Sequence, residues 1–391
     1  MSAIKYWLWL STAARLSPKT KKALLMHYGG PEEMYFAPVG EISRLTGAGT
    51  EGVETLEKRD LDAALRIIDK CDSQGIRILT VQDAMYPDRL KNVYSPPSVL
   101  YIKGELPAVD DEAAIAVVGT RDATPYGMKM GMKLGYEICR CGGIVVSGLT
   151  RGIDAAGAEG ALRAGGRCIG VLGTAHEQAK GRLAEDIAAR GALISEYPPG
   201  TEQYRSFFRA RNRIAAGLSV GVVVVEAPEH SGARLFANEA ADQGKEIFAV
   251  PGNADAASCA GTNALLKEGA KPVTEGWDIL CEFAAMYPSR LSEVGDMKAP
   301  EPVPAEKTTK KAVDKTEKSD YIDLKKQLEG LSETQMKIVS LMTEPSVQVD
   351  ELIAKSGLSP AKVLSDLTLL QLKGYVSQEK GKRFTLNIKA K

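Results

Sequence analysis

The chain has no C-x-x-C pair, no H-E-x-x-H, no G-x-S-x-G and no G-x-x-x-x-G-K-[ST]. The usual parts for metal, acyl-transfer and P-loop chemistry are therefore missing. Histidine is scarce, and His27, His176 and His230 are widely spaced. The six cysteines (71, 139, 141, 168, 259, 281) are mostly set among apolar or small residues, which favours buried reduced thiols over a disulfide or zinc framework. Apolar runs such as 222–225, extended only by small neighbours, fall far short of the ~20 residues that span a bilayer. The N-terminus lacks a basic start and a cleavage-like site, so a cytoplasmic protein is expected. Net charge is absent too: 50 Lys+Arg balance 50 Asp+Glu. A nucleic-acid site must then be a local basic patch, because whole-molecule steering is unavailable.

What is present is an ordered series of segments in 391 residues, enough for two or three domains. Residues 1–80 read as short helices broken by glycine. Ser17-Pro18 starts one helix, Gly29-Gly30-Pro31 stops it, and 61–73 forms another. Leu45-Thr46-Gly47-Ala48-Gly49-Thr50 has the form of a helix-hairpin-helix turn, either a phosphate-facing loop or a turn in a small bundle. Residues 81–110 read as a bridge, after a short strand at 76–80.

Across 111–288, apolar β-rich runs at 115–118, 144–147, 168–172, 192–195, 220–225 and 247–250 alternate with helical patterns at 126–141, 153–164, 177–190, 233–243 and 262–268. Short, nearly all-apolar strands between helices indicate an α/β doubly wound parallel sheet covered on both faces. Ligands in such sheets bind at the carboxyl ends of the strands. Gly119-Thr120-Arg121, Ser147-Gly148 and Glu226 fall there.

Residues 289–328 read as a flexible linker. Its centre, 297–320, carries six Lys and five acidic residues and almost no large apolar side chains. From 329 to 391 a second unit follows. Ser332-x-x-Gln335 is a capping box, Asp350 caps a short helix ending at Gly357, and Ser359-Pro360 opens a third. Two extended runs, 375–378 and 384–388, then flank Lys380-Gly381-Lys382-Arg383. Helix, helix-turn-helix and β-hairpin make a winged helix.

The α/β segment resembles the DprA (DNA-processing protein A, Smf) family along nearly its whole length. The matching stretches are Val118-Gly119-Thr120-Arg121 with Tyr126-Gly127, Ser147 to Asp154, Ser195 to Thr201 and Arg211 to Ser219. Val225-Glu226-Ala227, Ser231-Gly232-Ala233, Ala249-Val250-Pro251-Gly252 and Gly261-Thr262-Asn263 follow in order. The sequence departs from the family at Ala158, Arg209, Phe236 and the loop Gly173-Thr174-Ala175-His176. The resemblance implies a non-enzymatic, cofactor-free protein that binds single-stranded DNA in a basic pocket of the sheet domain. It also implies a homodimer that assists a RecA-type recombinase during DNA uptake, transformation and recombination.

The residues fit that expectation on their own chemistry. Gly119-Thr120, Ser147-Gly148 and Ser231-Gly232 either offer backbone N–H groups to an anion or merely permit tight turns. Arg205, Arg209, Arg211 and Arg213 lie within nine residues, interleaved with Phe207 and Phe208. In an extended segment, Arg209, Arg211 and Arg213 would share a face. Guanidinium groups grip phosphates and a phenylalanine ring stacks on an unpaired base. Alternatively the arginines pair with Glu196, Glu226 or Glu229. Arg121, Arg205 and Phe208 align best with the family's pocket, and Arg151 and Asn212 lie in the matching stretches.

Two other readings stand beside this one. A nucleotide phosphoribohydrolase-like enzyme shares the sheet, but 224–232 lacks the G-G-x-G-T-x-x-E motif that supplies its catalytic glutamate. A winged-helix transcription regulator would need base-reading cations, and 360–373 offers only Lys362 and Lys373 beside Asp366.

Overall fold

The computed structural model describes residues 2–13, 16, 18–38, 40–46, 51–294, 332–342, 347–372, 376–379 and 383–386. The core of the hairpin turn (47–50), the charged linker (297–320) and the wing turn (380–382) lie outside them. The chain divides into two compact units, 1–304 and 305–391.

The first unit is built on a nine-stranded sheet. Its strands are β1 Arg77–Thr80, β2 Val99–Gly104, β3 Ala114–Val118, β4 Ile144–Ser147, β5 Cys168–Leu172, β6 Ala192–Ser195, β7 Gly221–Val224, β8 Glu246–Ala249 and β9 Lys271–Pro272. The order is β1-β2-β6-β5-β4-β3-β7-β8-β9, and β6 through β9 run parallel. Two antiparallel strands, β1 and β2, extend the β6 edge. The segment read as a bridge therefore contributes a strand: Val99, Leu100, Tyr101 and Ile102 are all buried. The flanking Pro96-Pro97 hid that strand in the sequence.

Val/Ile/Leu-rich strands buried on both faces need helices on both sides, and two apolar clusters fill those layers. The helices after β3 are α8 Pro125–Arg140, α9 Ile153–Arg163, α10 Arg182–Arg190, α11 Arg205–Leu218, α12 Gly232–Asp242, α13 Ala260–Lys267 and α14 Gly276–Leu280. They are preceded by α1 Ser2–Thr12, α2 Pro18–Tyr28, α3 Pro31–Phe36, α4 Glu41–Thr46, α5 Glu51–Glu57, α6 Asp62–Ser73 and α7 Asp88–Lys91. Among these, α1 to α5 share one small core, and Trp7, Leu8, Ala64 and Cys71 pack on Val99 and Tyr101 of β2. The helical module is thus seated on the sheet's antiparallel edge.

The second unit is a winged helix. Its first helix, Glu333–Leu341, opens with both hydrogen bonds of the capping box between Ser332 and Gln335. The next, Val349–Ser356, is preceded by Gln348, so Asp350 lies inside it and is not its cap; it ends on Gly357 in the left-handed region (φ 65°). The third spans Pro360–Leu372, and β10 Val347–Gln348, β12 Arg383–Leu386 and β11 Val376–Glu379 form its small sheet. Val363, Leu367 and Leu370 are fully buried, and Lys362 is paired with Asp366 at 3.2 Å.

The sheet unit is closed at its end by Leu291, which packs into one apolar layer, and by the Ser292 N–H donating to the Cys141 carbonyl at 3.2 Å. A chain ended after Val294 is expected to melt cooperatively on its own. One ended after Tyr287 exposes the Leu291 seat and loses about 1.5–3 kcal/mol, read as a lower midpoint in denaturant melts.

Candidate nucleic-acid interface

At the carboxyl edge of the parallel strands, Gly119, Gly148, Gly173 and Glu196 each directly follow a strand end. Above Gly148 and Gly173 lies a cleft of about 560 Å³ lined by Arg121, Thr150, Arg151, Lys180, Gln203 and Phe208 among others. Three cations and no carboxylate line it. A chain with no net charge therefore concentrates positive charge here.

The segment that carries the arginines is helical, not extended. Residues 205–218 hold Arg, Ala and Leu, good helix formers, with no interior proline and one β-branched residue, and they bury one face. The 100° step then separates what an extended chain would align. Arg209 is exposed, Arg211 is buried at 5% exposure, and Arg213 points to Glu196, both of whose oxygens its Nη2 meets at 2.5 Å. Arg213 is thus a structural ion pair, as the alternative reading of these arginines allowed. Arg205 stands exposed in the first turn of α11, and Asn212 is half-buried; neither lines the cleft.

Phe208 does line it. A Cβ on Gly173 would come within 3.0 Å of the Phe208 Cα, so the missing side chain is what lets α11 lie across the end of β5. The Arg121 guanidinium sits 5.6 Å from the Phe208 ring centroid, a cation–π contact that leaves its hydrogen-bonding edge free. Below them, Arg211 reaches Gly148: a Cβ there would sit 1.4 Å from Arg211 Nη1. The Arg211 guanidinium forms no ion pair among the described residues, and its Nε is buried without a hydrogen-bond partner. Burial lowers its pKa, with the nearby Asp154 opposing and Arg121 reinforcing that shift. A guanidinium keeps its proton regardless, so a second cation lies buried beneath Arg121.

Asp154 organises that floor. It accepts from the Gly119 N–H (3.3 Å) and from Thr150 Oγ1 (2.8 Å), while Ser147 Oγ donates to its carbonyl (2.8 Å). Burial raises the Asp154 pKa, and Arg211 is the largest opposing influence. Leu149, next to Gly148, adopts φ 52° and packs over Gly170. This left-handed turn is sterically unfavourable for leucine and is held by its surroundings.

Several expected anion contacts are spent internally. The Gly119 N–H goes to Asp154, and the Thr120 N–H goes to the Glu226 carbonyl at 2.8 Å. Ser147 Oγ also accepts from the Leu149 N–H (3.1 Å). The Gly119 and Thr120 N–H groups and the Ser147 hydroxyl are therefore engaged within the fold. Glu226, buried to 1%, accepts from Thr124 N and Oγ1 at 2.8 Å each and fills the N-terminus of α8. That is where a doubly wound sheet would otherwise hold a dinucleotide phosphate. Ser231 and Gly232 cap α12 beyond β7, outside the cleft. Arg151 does line it, paired at 2.8 Å with exposed Asp122.

Lys180, Gln178, Thr174 and Gln203 were not among the expected site residues. Residues 177–190 read as one helix but divide into a turn at His176–Gln178 and α10, parted by Gly181 at φ 104°, which puts Lys180 on the rim. Gly173-Thr174 follows a strand end, the same signal that singled out Gly119 and Gly148. Of the departures from the family, Ala158 and Phe236 are core residues, and Arg209 is exposed outside the lining.

The comparisons with known proteins agree with this architecture. The class is a Rossmann-like α/β domain with a C-terminal winged helix. The sequence profile of DNA recombination-mediator protein A matches residues 77–284, and that of the DprA winged helix domain matches 324–382. The chain is similar to the DNA processing protein DprA of Bacillus subtilis, at 38% identity over 56% of this chain and 75% of that protein. It is similar to the protein Smf of Synechocystis at 30% identity over 97% and 98% of the two chains. The X-ray structure of DNA processing protein A from Streptococcus pneumoniae matches with TM-score 0.62 and 30% identity, over 72% of this chain and 99% of that one. The chain belongs to the DprA/Smf family of DNA recombination-mediator proteins.

Two outcomes test the packing around the site. At the floor, Gly148→Ala is expected to displace Arg211 and cost about 1–3 kcal/mol in chemical denaturation. The second concerns His176, whose Nε2 meets the Tyr101 carbonyl at 2.9 Å while Nδ1 is buried without a partner. Burial lowers its pKa, so the unfolded chain takes the proton first. Its contribution is complete above about pH 6.5 and is lost as pH falls through the lower folded value. Melting temperature should drop between pH 8 and pH 5, and less steeply in His176→Gln, which keeps a donor to Tyr101.

Proposed function

We propose that this chain binds single-stranded DNA in the cleft beside Phe208 and delivers it to a RecA-type recombinase, making and breaking no covalent bond itself. The observation that carries this reading is the Arg121–Phe208 pair at the mouth of a cleft without carboxylates. The guanidinium suits a phosphate and the ring suits the face of a base. A base reaches that ring only when unpaired, which selects a single strand over a duplex. Arg211, buried and unpaired beneath, adds a fixed positive charge that an incoming phosphate would neutralise. Glu226, fully engaged in capping α8, is not free for acid–base work, in keeping with a binding protein.

Family membership supports the second half of the proposal. The relatives are named DNA processing proteins, and the family is described as a recombination mediator. A mediator must release its strand to another protein. An open cleft that holds phosphates by charge suits such exchange. Action in the cytoplasm as a homodimer follows from the same resemblance; no described helix is long and apolar enough to cross a membrane.

Titration of oligo-dT by fluorescence anisotropy over a range of salt tests the cleft. Arg121→Ala should weaken binding and reduce the log–log salt slope by about 0.7. Phe208→Ala should cost roughly 1–3 kcal/mol with the slope nearly unchanged. Normally folded Arg121→Ala and Phe208→Ala proteins with wild-type affinity would contradict the assignment. For the recombinase, the lag before cognate RecA filaments nucleate on DNA coated with single-strand-binding protein should shorten. An unchanged lag with DNA binding intact would reject delivery.

A further inference from the structure

The start of α11 carries a second group of aromatic rings that the cleft does not use. Phe207 stacks on Tyr197 with centroids 3.8 Å apart and an interplanar angle of 12°. Tyr204 meets Phe207 edge-on at 5.3 Å and is 54% exposed. Burial of the Tyr197 hydroxyl end raises its pKa, so the ring is uncharged at neutral pH. Tyr204 directly follows Gln203 of the cleft, and Phe207 directly precedes Phe208. The cleft and the stack are therefore neighbours along one backbone segment.

Cations continue beyond the rings. Arg205 is exposed in the same helical turn. The Lys70 Nζ of α6 lies 2.6 Å from where a Gly200 Cβ would be, so a lysine of the helical module overhangs the loop between β6 and α11. Lys70 is exposed and has no carboxylate partner among the described residues. One further contact holds the module against this rim: Gln74 Nε2 donates to Glu177 Oε1 at 3.1 Å. Next to it, Gln178 Nε2 ties the rim to the loop after β6 by donating to the Thr201 carbonyl at 3.2 Å. Of the acidic residues beside the stack, Glu202 accepts from the Tyr204 hydroxyl at 3.3 Å and Glu196 is paired with Arg213.

We propose that a single strand leaving the cleft passes over a second aromatic platform, Tyr204 with Phe207 on Tyr197, and reaches Lys70, so that the N-terminal helical module is part of the DNA-binding surface. The inference rests on the cleft as the primary site. Each part has a separate job. Tyr204 offers an exposed ring to a second unpaired base, the Phe207–Tyr197 stack fixes the position of that ring, and Arg205 and Lys70 take the phosphates on either side. Exposed aromatics interleaved with cations along one path are the arrangement that holds single strands irrespective of sequence. The module's docking through apolar contacts to β2 keeps Lys70 at a fixed place relative to the cleft.

The test uses the full chain and oligo-dT of about 6 and about 20 nucleotides, bracketing the ~4–16 nucleotides that single-strand sites commonly cover. Tyr204→Ala should weaken the longer oligonucleotide about 5- to 140-fold and the shorter one little, while Tyr204→Phe restores binding. Lys70→Ala should lower the salt slope by about 0.7 on the longer strand only. Tyr204→Ala and Lys70→Ala proteins that bind both lengths like wild type, while Arg121→Ala weakens both, would overturn the second platform and leave the cleft standing. Equal losses on both lengths would place Tyr204 in the cleft and overturn the path to Lys70. Should Arg121→Ala change neither length, the cleft fails and the extension falls with it. Circular dichroism melts of each variant establish that the fold is intact.

Discussion

The Arg211 guanidinium, driven beneath Gly148 toward Asp154, is the contact on which the remainder of the site depends. Three segments distant in sequence meet there: the end of β3, the turn from β4 to α9, and α11. Asp154 opens α9, receives the Gly119 N–H from the end of β3 and binds Thr150 of the β4 turn, while Arg211 comes from α11. Burying a cation without a direct partner is costly, and nothing among the described residues completes its hydrogen bonding. The arrangement leaves the floor of the cleft positively charged before any ligand arrives. With α11 anchored there, Phe208 and Arg121 fall opposite one another, and Tyr204 and Arg205 are set at the rim.

The same edge of the sheet shows how a nucleotide-binding architecture is turned to another use. In a doubly wound sheet the helix after the first parallel strand ordinarily points its N-terminus at a phosphate. Here Glu226 occupies that position from β7, its carboxylate satisfied by Thr124. A Cβ on Gly127 would overlap that carboxylate, so the glycine admits the glutamate. The cleft's positive charge lies one strand over, on side-chain cations above β4 and β5. Backbone nests suit a compact pyrophosphate, whereas mobile guanidinium and ammonium groups suit a chain of phosphates whose bases vary.

Much of this was legible in the sequence because the parallel strands are short, apolar and bounded by turn residues. The runs at 144–147, 168–172 and 192–195 coincide with β4, β5 and β6, and the capping box at Ser332 opens its helix as its residues dictate. Strand β2 was hidden because the flanking Pro96-Pro97 and polar neighbours resemble a linker, and pairing with β1 and β6 makes it a strand. The arginine segment was harder. Alternation of Arg with other residues is compatible with a strand, and only the burial of Ile214, Ala215 and Leu218 at helical spacing separates the two. Once it is a helix, Arg205 and Arg209 stay exposed, Arg211 is buried and Arg213 pairs with Glu196. Which arginine is structural depends on Glu196 and Asp154 arriving from other elements, information that no local pattern contains. Lys180 was concealed by an apparent helix that Gly181 interrupts.

The central claim is that cations and a ring in one cleft select unpaired bases. It is tested most directly by titrating the wild-type chain with oligo-dT and with duplex DNA of equal length at two salt concentrations. The account predicts tighter binding to the single strand at both, with a preference that persists at the higher salt because base stacking is not screened. Equal affinity for the two, or a preference that vanishes as salt rises, would mean that only phosphate charge is read, and would contradict the role assigned to Phe208.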